Sequence, residues 1–253
     1  MANNINMHVL HDKLAETFET LYETQKENIT KAAELCADAI EMGGVIQVFG
    51  SGHSVGFGME MRNRPGSLVP VHSMVMNDFV IKGIVDLKTF KSQDDIFERK
   101  PGIADKLYNL YRTDDNDVFI IISNSGINGV VIDLAIYAKQ TGHKVIVVTS
   151  WEHTNSENSR HPSGKKLYEF GDVVIDNCGP IGDALLETGK LEKVCSISSL
   201  TGAVIAQSIG LETATILEER GLEAPVLWDE TVEGYKEHNE ALFKKYEGRI
   251  NLE

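Results

Sequence analysis

Apolar positions recur along this chain with two periods. From His8 to Met42 there is no proline or glycine, and Leu10, Leu14, Phe18, Leu21, Tyr22, Ile29, Ala33 and Cys36 recur at helical spacing. The pattern predicts one long helix, or two broken near Glu27-Asn28, stopping at Gly43-Gly44. Val45 to Phe49 then reads as a short buried strand running into Gly50-Ser51-Gly52-His53-Ser54. A helix is expected through Met61, stopping at Arg64-Pro65-Gly66, with another short strand inside Leu68 to Met76. Val80 to Arg112 is mixed, with a turn at Lys100-Pro101-Gly102 and a helix toward Tyr111.

The clearest unit is Asp117 to Thr149. A β-branched run, Val118 to Ile122, breaks at Ser123-Asn124-Ser125-Gly126; a helical stretch, Gly142 and a second apolar run, Val145 to Val148, follow. This is a βαβ pattern with a hydroxyl-rich loop at the carboxyl end of its first strand. Beyond it, Trp151 to Leu167 is polar and reads as a loop, Val173 to Ile175 as a strand, and Asp229 to Tyr246 as a last polar helix. Ser196 to Arg220 reads as a helix capped near Ser198-Ser199, with Leu200, Val204, Ile205, Ile209 and Ile216 on its buried side. Strands alternating with helices imply a parallel, doubly wound α/β sheet. The expected division is a helical extension over 1–43 and an α/β domain over 44–253.

Composition narrows the function classes. The chain has 253 residues, 42% hydrophobic and 25% charged, enough for one α/β domain with a sizeable core. A formal net charge of −14 argues against nucleic acid or an anionic membrane as a partner. Cys36, Cys178 and Cys195 are far apart and form no CxxC, so reduced thiols in a cytoplasmic protein are expected. The N-terminus lacks the pattern of a secretory signal, and no apolar stretch reaches the roughly 18 residues of a membrane helix.

Two loops carry candidate chemistry. Ser123, Asn124, Ser125 and Asn128 offer side chains and backbone N–H groups at a helix start, a setting suited to an anion without a lysine; as plain caps, the same residues would only close a turn. Ser51, His53 and Ser54 lie in a second glycine-rich turn, which has neither dinucleotide-fingerprint spacing nor a P-loop lysine. Either loop is weak evidence alone. Two of them at strand ends of one parallel sheet would share the crevice where such sheets bind ligands.

The pair GSGHS after a strand, and ISNSG followed by a helix and VIVVTS, resembles the SIS (sugar isomerase) domain family over roughly residues 44 to 220. The resemblance implies a three-layer α/β/α sandwich around a parallel sheet, of flavodoxin type, preceded here by the helical extension. It also implies phosphosugar binding, with Ser51, Ser123 and Ser125 on the phosphate and Asn128 where the family usually has Thr or Ser. The helix opening at Ser198-Ser199 resembles the family segment that closes the site. Within the family the chain is most similar to phosphoheptose-isomerase-like proteins. Those carry His and Glu one turn apart after the first loop; VGFGMEMRNRPG offers Glu60 without the histidine, so no metal is expected. No helix-turn-helix domain precedes the unit, which disfavours a transcriptional regulator.

Glu60, between the apolar Met59 and Met61, is the candidate acid/base; its plain alternative is a surface glutamate. In the polar stretch after the second βαβ strand, His153 is favoured over His161 because it is nearer the strand end, and Arg160, Lys165 and Lys166 are candidate charge partners for an anionic ligand. The expectation is an aldose/ketose phosphosugar isomerase without a cofactor. A phosphosugar or amino-sugar-phosphate lyase, a non-catalytic sensor and another flavodoxin-like anion binder stand as alternatives. The apolar N-terminal helix is expected to pack on a second copy, making a homodimer or homotetramer.

Overall fold

The structure is a computed structural model that describes residues 5–187 and 193–250. It opens with α1 (Met7–Glu41), whose first turn is capped by Asn6: its side-chain oxygen accepts from the His8 and Val9 N–H groups. β1 (Ile46–Gly50) leads into α2 (Val55–Met61) and β2 (Val71–Met74). The mixed region holds the short helices α3 (Asp78–Ile81), α4 (Leu87–Phe90) and α5 (Ala104–Tyr108). Then come β3 (Val118–Ile122), α6 (Gly129–Gln140), β4 (Lys144–Thr149), α7 (Trp151–Ser156) and β5 (Val173–Asp176). β6 (Ala184–Glu187) and β7 (Lys193–Ser196) form an antiparallel pair before α8 (Ser198–Glu219) and α9 (Tyr235–Lys245).

The main sheet is parallel, in the order β2-β1-β3-β4-β5. Its strands alternate side chains between two cores. Ile46, Val48, Ile120, Ile122, Ile146 and Val148 face a layer built from α1, α2 and α8. Phe49, Phe119, Ile121, Val145 and Val147 face α6 and the segment around Phe79, Phe97 and Leu107. Helices on both faces explain why these strands read as unbroken apolar runs. The three-layer α/β/α architecture expected from the sequence is therefore present, with the long helix at its start.

Several local expectations are corrected. On α8 the buried stripe runs through Thr201, Ile205, Ala206, Ile209, Thr213 and Leu217, while Leu200 and Val204 face outward. Apolar residues all round this helix hid its true face, and small residues such as Gly202 and Ala206 were the better guide to its close packing on α1 and α2. Tyr22 on α1 is likewise exposed beside buried Leu21. The stretch 151–167 is not all loop: Ser150 Oγ accepts from the His153 N–H and starts α7. The β6–β7 pair was not anticipated. Among the described residues, α8 is the one helix long and apolar enough to cross a membrane, and its buried side belongs to the core.

Candidate functional site

Register builds the site. β1 and β3 are neighbours, and Gly50 at the end of one pairs with Ile122 at the end of the other. The loops that follow, 51–54 and 123–128, therefore leave the sheet side by side at its carboxyl edge. In the order β2-β1-β3-β4-β5 the chain reverses direction between β1 and β3, and that switch point is where such sheets hold ligands.

Each loop has its own construction. Ser51 is half-buried and extended, ahead of a single 3-10 turn, Gly52–Ser54. His53 is exposed and Ser54 half-buried. In the second loop, buried Ser123 accepts the Gly126 N–H on its Oγ at 3.1 Å, folding the turn back on itself. Gly126 has φ +62°, and a Cβ there would sit 2.9 Å from Thr154 Oγ1 and 3.1 Å from Thr149 Oγ1, so the turn needs glycine. Among the described residues, the Ser51 and Ser125 hydroxyls have no protein hydrogen-bond partner. Asn128 occupies the N-cap position of α6, but its side chain makes no capping bond.

The Asn128 side chain belongs instead to a polar network running beneath the serine loop. The Asn177 amide donates to Asn124 Oδ1 at 2.9 Å, and the Asn124 amide lies 3.3 Å from His153 Nδ1. With Asn124 donating, the imidazole proton is assigned to Nε2, which faces Glu157 Oε1 at 3.4 Å. Arg160 then joins Glu157 Oε2 at 3.0 Å to Asn128 Oδ1 at 2.9 Å. The Asn128 amide, finally, reaches Glu98 Oε1 at 3.4 Å. His153 thus stands behind the loop as a structural link, its side chain 17% exposed.

Glu60 sits elsewhere. With His53, Ser54, Asn124, Asn177 and Ser199 it lines a cavity of about 150 Å³ between α2 and the start of α8. Its carboxylate pairs with Arg64 one turn on and lies 3.4 Å from the Gln207 amide, which also donates to the Glu60 carbonyl at 3.0 Å. The carboxyl is therefore held by a cation and an amide rather than by the apolar wall that Met59 and Met61 suggest; Met59 in fact faces solvent.

The cations of 160–166 are spoken for. Arg160 serves the network, Lys166 Nζ donates to the Thr154 carbonyl at 2.6 Å, and Lys165 lies over the Phe170 ring. His161 anchors its loop to α6 through Asp133 at 2.8 Å. Among the described residues no cluster of three or more His, Cys, Asp or Glu could hold a metal ion.

Three contributors escaped the sequence. Asn177 is buried at the end of β5, a strand-end position like those of the two loops, so its place on the sheet edge was the available clue. Gln207 lies nine residues into α8, where an isolated polar residue gives no signal. Glu98 comes from the irregular stretch between β2 and β3, which shows no period to place it.

A family model described as the SIS domain matches residues 11–150, more than half of the chain. The chain belongs to the SIS-domain family. An UPF0309 protein of Listeria monocytogenes is 39% identical over 240 residues, covering 94% of this chain and 96% of the relative. Among solved structures, the phosphoheptose isomerase of Francisella tularensis superposes with a TM-score of 0.56 at 15% identity, covering 85% of this chain and 100% of that one. That of Neisseria gonorrhoeae gives 0.53 at 17%, covering 82% and 98%. At such identities the likeness to the two isomerases is one of fold. The SIS match takes in the two loops and most of α1.

Proposed function

We propose that this protein binds a phosphorylated sugar and interconverts its aldose and ketose forms. The observation that carries the reading is the register of β1 and β3, which sets the glycine-serine and serine-asparagine loops together beside the N-terminus of α6. Membership of the SIS family and the shared fold with phosphoheptose isomerases support it. The hydroxyls of Ser51, Ser123 and Ser125, the Asn128 amide and the backbone N–H groups of the second loop would hold the phosphate. His53, Ser54 and Asn124 border the adjoining space.

Isomerisation requires one group that removes the proton from the carbon beside the carbonyl and returns it to the neighbouring carbon. Glu60, the carboxylate lining the small cavity, takes that role, and His153 orients Asn124. The hold of Arg64 and Gln207 on Glu60 favours a second reading, a phosphosugar sensor without turnover. We also propose a homo-oligomer: Leu200, Val204 and Leu211 on α8, Met59 on α2 and Tyr22 on α1 are exposed apolar side chains that a second copy would cover. Light scattering that returns a monomer removes that part.

The test is a thermal-shift screen against phosphosugars, the matching free sugars and inorganic phosphate, followed by turnover assays on the hits. A ligand at a hundredfold excess over its Kd adds roughly 2.7 kcal/mol and raises Tm by a few degrees. Shifts limited to phosphosugars, with turnover lost in Glu60→Gln, support the isomerase. Shifts without turnover support the sensor, and no shift with any phosphorylated compound ends the phosphosugar reading.

A further inference from the structure

The small cavity at Glu60 is too tight for a whole phosphosugar: it holds about 150 Å³, and ligand pockets run about 300–1,000 Å³. On the other side of the glycine loop lies a chamber of about 980 Å³. Gly52 and Val55, the segment 75–82 with Tyr111, and the segment 90–98 line it. Phe90, Phe97 and Ile96 give it apolar surface, and Arg62, Asp78, Lys82, Lys91 and Glu98 give it charge.

Glu98 stands where this chamber meets the phosphate loops. Its Oε1 accepts from the Asn128 amide at 3.4 Å, and its Oε2 lies 3.9 Å from the point where a Cβ on Gly52 would be. One carboxylate thus reaches both loops. Its position is built in. The next residues, Arg99 and Lys100, cross the first turn of α6 so closely that a Cβ on Gly129 would fall 2.6 Å from the Arg99 carbonyl oxygen and from the Lys100 carbonyl carbon. Glycine weakens a helix by about 1 kcal/mol relative to alanine. At Gly129 it makes room for this strap.

We propose that the sugar, with its carbonyl end at Glu60, turns the hydroxyl groups of its remaining carbons past Gly52 into this chamber, where Glu98 accepts their hydrogen bonds. The inference rests on the phosphosugar reading and names where the carbohydrate goes. An ionised carboxylate is acceptor-only with lone pairs to spare, which suits adjacent hydroxyls. The phenyl and branched side chains of Phe90, Ile96 and Phe97 suit the C–H face of a sugar, and the chamber has room for a substituted or second ring. The phosphate remains on the serine loop, next to Glu98 rather than in its place.

The experiment uses the full-length protein and the phosphosugar giving the largest thermal shift, with inorganic phosphate alongside. Affinities for both are compared in wild type, Glu98→Gln and Ile81→Trp. Ile81 lines the chamber and is largely exposed, so the larger ring narrows the space without touching the core. Both variants are expected to lose about tenfold in phosphosugar affinity relative to inorganic phosphate, and Ile81→Trp is expected to hold phosphate affinity within twofold, which also shows that the loops remain folded. Unchanged phosphosugar affinity in both variants overturns the proposal. If no phosphorylated compound binds wild type, the underlying phosphosugar reading fails first.

Discussion

Asn177 holds Asn124 in place: its side-chain amide donates to Asn124 Oδ1 at 2.9 Å, and its own Oδ1 accepts the Gly179 N–H at 2.9 Å. The pair ties the end of β5 to the serine loop after β3, across the intervening β4. Replacing Asn177 with alanine leaves the buried Gly179 N–H and the half-buried Asn124 Oδ1 unpaired, at a cost of about 1–3 kcal/mol. Denaturant unfolding is expected to show that loss. Phosphosugar binding should weaken severalfold as well, because Asn124 also sets His153. A variant as stable as wild type would mean that Asn124 finds another partner.

Gly129→Ala sets helix propensity against packing. Alanine improves the helix by about 1 kcal/mol, but its methyl group would meet backbone carbonyl atoms of Arg99 and Lys100 at 2.6 Å. Overpacking against backbone typically costs about 1–3 kcal/mol, so packing wins and the variant melts below wild type. A higher melting temperature would show that the 98–100 strap moves aside freely.

The C-terminal region is latched to the sheet by charge. Arg249 Nη2 donates to the fully buried Asp117 carboxylate at 2.5 Å, and the same carboxylate accepts from the Val45 N–H, the Gln47 amide and the Asp114 N–H. Arg249→Met removes one partner of a buried pair, a change that costs about 3–5 kcal/mol. The lower end is expected, since three donors to Asp117 remain. Equilibrium unfolding in urea checks it.

Asp172 makes stability depend on pH. Burial raises its pKa, but the hydrogen bond from Lys139, the Val145 N–H, and the Lys139 and Lys144 charges outweigh burial and hold it below the usual carboxylate value. A carboxyl with a lowered folded pKa stabilises the fold above its unfolded pKa and loses that contribution as pH falls through the folded one. Asp172→Asn is therefore expected to be less stable than wild type at neutral pH. The gap should close in the acid range below the ordinary Asp pKa of about 3.9. Melting curves across pH test this, and a gap constant down to acid would rule it out.

The five strands of the main sheet, the two loops and the α/β class are legible because they rest on local pattern: a buried strand needs an apolar run, and a turn that folds back at φ +62° needs Gly126. The face of α8 was misread because Leu200 and Val204 are as apolar as buried Ile205 and Ile209; which of them meets α1 depends on the partner helix. Ser123, Asn124 and Asn128 were picked out from the sequence as ligand candidates, but their links to Asn177, His153, Arg160 and Glu98 join residues 29 to 53 positions apart.

Chain order and apolar period were enough to build a parallel sheet with hydroxyl-rich loops at its strand ends, since those features arise within a few residues of each other. Which side chains meet at the crevice was settled by the β1–β3 register, the crossing of the strap over Gly129 and the packing of α8 on α2. Such contacts form between distant segments, and their energy depends on shape and pairing in space, which no local period in the chain encodes.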